Sequence, residues 1–296
     1  MLMRIVSIVF PIFAIVAVGW LYARHRHSRG ATLDMGFANQ LNMEVFVPAL
    51  VFAALTASNF DLVGYHRLGL GALAVILLSG LSGWGLSRLL GEAPKTFVPP
   101  MMFVNAGNMG LPLMVLAFGQ AALPAAVVLF FVENTMQYTL GTWLLDHHAR
   151  LRNLWRVPVT FAALAAFAFK LAGIDIWPPL HFAIKMLGDV AIPLLLFSLG
   201  VRLARSKFTD LRVGLIGAAF RPLAGMVIAW AVGLALGLEG RDQAMLLVFG
   251  ALPPAVLNFV FAERYHQEPS KVASIVMLGN LGSLLFIPLA LALTLG

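Results

Sequence analysis

Apolar runs of membrane-spanning length follow one another from end to end of this chain, each bounded by charges, glycine or proline. Ten can be marked, at roughly 5–23, 37–58, 68–87, 97–118, 124–145, 157–173, 183–203, 213–237, 243–262 and 271–295. The pattern predicts an all-α integral membrane protein with ten transmembrane helices. Two runs are interrupted midway. The fourth contains "NAGNMGLP" (105–112), turn chemistry between two greasy stretches. The ninth reads "GALPPAVLNFVFAE" and breaks at Pro253-Pro254.

Composition agrees with this reading. The 296 residues are 60% hydrophobic and 11% charged, less charge than a soluble domain of this size carries. No polar stretch exceeds about fifteen residues, so no soluble domain is expected beside the spans. The first run could pass for a signal peptide, but its basic cluster follows the run instead of preceding it. A retained first span is expected. There is no cysteine, which excludes disulfides, thiolate metal sites and cysteine nucleophiles. The seven histidines are scattered and no HExxH spacing occurs, so neither a metal site nor a cofactor is expected.

The net charge of +7 reads as basic loops beside anionic lipid, not as a nucleic-acid surface. Arg24, Arg26, Arg29, Arg88, Lys95, Arg150, Arg152, Arg156, Arg202, Arg205, Lys207, Arg212, Arg264 and Lys271 fall in the loops after spans 1, 3, 5, 7 and 9. The opposite side has Arg4, Arg67, Lys170, Lys185 and Arg241, and Arg221 lies within span 8. This asymmetry predicts ten spans in a bacterial inner membrane, with the odd-numbered loops cytoplasmic and both termini outside. One helix more or fewer would scramble the alternation.

An internal match arranges the spans. "NMEVFVPALVFAAL" (42–55) aligns with "LGDVAIPLLLFSLG" (187–200), placing Glu44 on Asp189, Pro48 on Pro193, Leu50 on Leu195 and Phe52 on Phe197 at a constant offset of 145. The alternative is chance likeness between two proline-kinked helices. Span 2 on span 7 implies two repeats of five spans. Five is odd, so the second repeat enters the membrane from the opposite side, a plan of secondary transporters. The repeats are 1–145 and 158–296, joined by a cytoplasmic linker at 146–157. The same offset carries the break in span 4 onto the break in span 9.

A broken helix in hydrocarbon exposes backbone groups that need partners. Proline removes an N–H, and Gly107 and Gly110 weaken the helix further. From Phe97 to Gly107 is about 16 Å of helix, half the hydrocarbon thickness, so the break is expected near the midplane. Two breaks in inverted halves would meet near the pseudo-twofold axis. Half-helix N-termini offer N–H groups and a positive dipole end to an anion, while C-termini offer carbonyls to a cation. The candidate binding residues are Asn105, Gly107, Asn108, Pro112, Pro253, Pro254 and Asn258; the alternative is a pair of kinks that serve packing. Asparagine is a suitable ligand because it donates and accepts without the desolvation cost of a charge.

These motifs resemble the auxin efflux carrier family. "GNMGLP", "PPAVLNFVFAERY", "VPALVF" and the ten-span length carry the resemblance, which covers essentially the whole chain. That family includes plant PIN-type carriers and bacterial transporters of malonate and similar acids, on a fold like that of the bile acid/sodium symporters. The resemblance implies a scaffold of spans 1, 2, 6 and 7 and a transport domain of spans 3–5 and 8–10. It further implies crossing helices 4 and 9 with substrate beside the crossing, and elevator-type movement of small organic anions. The long central loop of the plant carriers is missing here, so phosphoregulation in that loop is not expected.

Other polar residues lie within spans. Glu133 and Gln137 are one turn apart beside Asn134, and read either as coupling or cavity residues for H+ or Na+, or as a clamp onto Asn280. Arg221 could neutralise an anion, pair with a carboxylate or snorkel to the cytoplasmic surface, and the nearby basic loop favours snorkelling. Asn42 precedes the kink of span 2 on the substrate path. "GLALG" (233–237) has the spacing of a packing motif, within one chain or in a homodimer. An intramembrane enzyme would need a nucleophile–base pair, and none is evident. A channel-like or sensory protein, or a carrier of a neutral metabolite, is the alternative to an organic-anion transporter.

Overall fold

The computed structural model describes residues 2–29, 34–57, 64–147, 157–205 and 210–295. The predicted linker, with Arg150, Arg152 and Arg156, lies mostly outside the described residues, as does Lys207. Apart from the two midway breaks, the described apolar runs are helical. In chain order these are α1 (Leu2–Ser28), α2 (Gly36–Leu55), α3 (His66–Leu90), α4 (Pro94–Met102), α5 (Ala106–Phe118), α6 (123–145), α7 (Pro158–Leu171), α8 (Pro178–Ala204), α9 (Leu211–Ala235), α10 (Gly240–Ala251), α11 (Leu257–Arg264) and α12 (Pro269–Leu295). Six of them, α1, α2, α3, α8, α9 and α12, are long and apolar enough to cross a membrane. Their outward faces carry exposed Phe10, Leu21, Leu81, Trp84, Val227, Leu234 and Leu285, a surface suited to lipid and not to water.

Proline chemistry shapes the helices. Pro48 cannot donate to the carbonyl one turn back, and the preceding turn, Asn42–Phe46, relaxes to wider π-helical spacing. The same happens at Ala106–Gly110, ahead of Pro112. In α6 a third wide turn, Gln137–Gly141, passes the ring of Phe103, and a Cβ on Gly141 would meet that ring at 2.9 Å.

The helices pack in two sets. α1 lies along α8, so close that a Cβ on Gly19 or Gly200 would run into the other helix's backbone, and α2 packs on α7 and α8. In the second set α9 packs on α12, α10 and α3, and α3 packs on α4 and α6. Polar contacts gather loops at opposite ends. At one end Lys271 pairs with Glu92 at 2.9 Å, Thr96 donates to Glu268 at 2.7 Å and Lys95 donates to the Leu145 carbonyl at 3.0 Å. At the other end Lys170 donates to the Ala57 carbonyl at 3.2 Å.

Candidate functional site

The two broken segments touch. α4 stops at Met102, Phe103 and Val104 run extended, and Val104 pairs with Pro254 in an antiparallel bridge. Asn105 N–H donates to the Pro253 carbonyl at 2.8 Å, and Ala255 N–H donates to the Phe103 carbonyl at 2.9 Å. At Asn105 the chain makes an inverse γ-turn (φ −76, ψ 56), with Ala106 N–H on the Val104 carbonyl at 2.7 Å. Helix then resumes. The first break therefore precedes the glycines and Pro112, whereas the sequence reading set it among them. Gly107 lies in the first turn of α5 and Pro112 in the second, where the wide turn Ala106–Gly110 accommodates the missing proline N–H. At the second break the prolines are the break: the residue before a proline is driven extended, and Leu252 has φ −61 and ψ 142.

Side-chain amides satisfy what the bridge leaves open. Asn258 Nδ2 donates to the Phe103 carbonyl at 3.0 Å, and its oxygen accepts from Gln137 Nε2 at 3.0 Å. Asn280 Nδ2 donates to the Pro254 carbonyl at 3.1 Å and to its own helix at Val276, and its oxygen accepts from Asn105 Nδ2 at 2.8 Å. All four amides are buried. The expected clamp between α6 and Asn280 is thus re-paired: Gln137 holds Asn258, and Asn280 holds Asn105.

Beside the crossing lies a cavity of about 80 Å³, the share of two or three waters. Met43 and Val47 of α2 and Leu195 of α8 form one wall. Val104, Asn105, Gly107, Asn108, Phe130, Glu133, Asn134, Gln137 and residues 255–257 form the rest. The first turns of α5 and α11 open onto this space. The N–H groups of Gly107, Asn108, Val256 and Leu257 take no acceptor among the described residues, and neither does the Asn108 amide. Glu133 is 3% exposed and its Oε1 is unpartnered.

Other candidates sit elsewhere. Asn258, Asn280, Pro253 and Pro254 build the crossing without lining the cavity. Asn42 donates to the Ala191 carbonyl at 3.3 Å and ties α2 to α8. Arg221 does not snorkel. It is 1% exposed and donates to the Gly250 carbonyl at 3.0 Å, so its charge sits against the negative C-terminal end of half-helix α10. Glu44 and Asp189 make contacts only one turn away on their own helices, with Gln40 and Lys185. In "GLALG", Gly233 packs on Gln243 of the same chain, and Gly237 takes a left-handed turn (φ +62) after α9.

Sequence reasoning expected N–H groups at the half-helix N-termini but did not name Val256, Leu257 or the role of Phe103, because none has a polar side chain to reveal it. A signal existed at the second break only, where the proline pair marks extended backbone.

Comparison with known proteins bears on this arrangement. The profile of the family described as membrane transport protein matches residues 147–291. Auxin efflux carrier component 3a of Oryza sativa subsp. japonica is 26% identical over 204 residues, 67% of this chain and 31% of that protein. Auxin efflux carrier component 6 of Arabidopsis thaliana is 27% identical over 177 residues, 57% of this chain and 29% of its own length. The match thus spans about a third of these plant relatives. An uncharacterized transporter of Methanocaldococcus jannaschii is 23% identical over 270 residues, covering 85% of this chain and 87% of that one. Residues 147–291, just under half of the chain, thus match the membrane transport protein family, and the relatives that the chain resembles include auxin efflux carriers and a transporter.

Proposed function

We propose that this chain is a secondary transporter of small organic anions, carboxylates such as malonate or auxin-like acids, bound at the crossing of the two broken segments. One observation carries the reading: two helix N-termini open onto one cavity with four free N–H groups and the unpartnered Asn108 amide. Such an arrangement favours a carboxylate by dipole and hydrogen bonds together. Asn105, Asn258, Asn280, Gln137, Pro253 and Pro254 hold the crossing, and Gly107, Asn108 and Asn134 face the ligand.

The position of the cavity supports an elevator-type movement. Its walls come from both packing sets, so displacement of one set against the other changes its access. In this reading α1, α2, α7 and α8 are the scaffold, and the remaining helices move. The two inverted repeats of five spans, 1–145 and 158–296, supply the symmetry. The end holding Glu92, Lys95, Arg264 and Lys271 faces the cytoplasm of a bacterial inner membrane, with both termini outside.

The test is thermal unfolding of the detergent-solubilised protein against a panel of organic acids, with and without sodium. A bound acid at a hundred times its Kd stabilises by about 2.7 kcal/mol. Asn108→Ala should leave the ligand-free Tm within about 1 °C, because the side chain has no partner to lose, and should abolish most of the acid-induced shift. If no acid shifts the wild type, the anion reading fails. A neutral analogue that shifts it as far would favour a carrier of neutral metabolites, which the absence of Lys or Arg from the cavity wall would also suit.

A further inference from the structure

Among the residues lining the cavity, Glu133 is the one ionisable side chain. Its burial and its unpartnered Oε1 set it apart from the amides around it, which are bonded into the crossing or neutral. The groups that act on it electrostatically are Arg221 of α9, the backbone N–H of Val104 and Tyr138 of its own helix. Arg221 makes no hydrogen bond to Glu133 and stands outside the cavity wall. The cavity lining contributed by α2, α5, α8 and α11 is apolar or amide throughout.

Charge accounting follows from this geometry. Ionised Glu133 and Arg221 sum to zero. A carboxylate placed against the four N–H groups adds a negative charge that no lining cation matches, in the same small space as Glu133. A proton on Glu133 offsets one negative charge of the ligand and turns an unpartnered acceptor into an O–H donor aimed at the ligand's cavity. Proton and anion therefore favour each other's binding, and by linkage the effect is reciprocal.

We propose that Glu133 takes up one proton with each anion bound at the crossing, so that the carrier is proton-coupled. The proposal rests on the anion reading of that site. Glu133 accepts the proton from water on the side where the anion is captured and returns it to water on the side of release. Only its O–H bond forms and breaks.

Malonate is the probe, in proteoliposomes with the membrane potential clamped. With a gradient of one pH unit, wild-type protein should concentrate malonate on the less acidic side, up to about tenfold at equilibrium. Glu133→Gln, permanently neutral, should still exchange malonate for malonate but should not concentrate it. Concentration by Glu133→Gln equal to wild type overturns the proposal, as does wild-type accumulation that follows a sodium gradient and ignores pH. Wild-type protein that does not exchange malonate at all overturns the underlying anion reading instead. A measurement free of any variant guards against misfolding: calorimetry of malonate binding to the wild type in two buffers of different ionisation enthalpy. About one proton should be taken up per malonate bound, and none taken up refutes the role of Glu133.

Discussion

Asn280→Ala should loosen the crossing more than any other single amide deletion, and the cost can be worked from its contacts. The Pro254 carbonyl accepts from Asn280 and from no other described residue, and Asn105 Nδ2 donates to Asn280 alone. Truncation strands both. Val276 loses little, because its carbonyl keeps the α12 backbone bond. A stranded buried group costs roughly 1–3 kcal/mol, while hydrogen bonds between membrane helices average nearer 0.6 kcal/mol. Two stranded groups together therefore cost about 2–4 kcal/mol. For a chain of this size that is a fall in Tm of roughly 4–8 °C in detergent. The neighbouring cavity could admit a water to the vacated space, which would draw the result to the lower bound. A double-mutant cycle with Asn105→Ala isolates the shared bond, with an expected coupling of about 1 kcal/mol. A Tm within 1 °C of wild type, or strictly additive single changes, would refute the bonding scheme and with it the account of how the breaks are held.

Two further outcomes test the frame around the crossing. Gly200→Val should destabilise by about 1–3 kcal/mol, because its Cβ would run into the Val16 carbonyl on α1. Gly85→Ala, in the interior of α3 with nothing within 4 Å of the added carbon, should be neutral or stabilising by up to about 1 kcal/mol; thermal unfolding on size-exclusion chromatography reads both. At the loop end, hydrogen bonds from Lys271 and then Thr96 hold the Glu268 carboxyl below its ordinary range. A depressed carboxylate pKa contributes stability above the unfolded value and loses it as pH falls through the folded one. The Tm difference between wild type and Glu268→Gln should thus be full above about pH 5 and close on acidification. Glu268 is 42% exposed, so solvent screening limits the effect to about 1 kcal/mol. A difference that is constant with pH would contradict the pairing.

Hydropathy foretold an all-helical chain, six of whose described helices are long and apolar enough to cross a membrane, because an apolar run in a membrane has few other conformations open to it. It did not locate the first break. Pro112 and the glycines mark where helix is easily interrupted, yet Pro112 sits harmlessly in the second turn of α5 while Phe103, an unremarkable helix former, runs extended. What holds Phe103 extended is Ala255 N–H and the Asn258 amide, on a segment more than 150 positions away. Arg221 was misread for the same reason. Its depth in the span suggested snorkelling, but its fate was decided by Gly250, where two glycines let α9 and α10 approach closely enough for a guanidinium to reach a carbonyl.

The asparagines divide along this line. From the sequence, Asn105, Asn108 and Asn258 look alike: polar, near a break, available to a ligand. In the fold, backbone satisfaction comes first, since a carbonyl stranded in hydrocarbon costs more than a ligand contact returns. Asn105, Asn258 and Asn280 are consumed by that requirement, with Gln137 supporting them. The Asn108 amide and one carboxyl oxygen of Glu133 remain unpartnered beside four free N–H groups. Under the proposed reading, a substrate is one that wants backbone donors and an amide, and whose charge the acid accommodates by taking a proton.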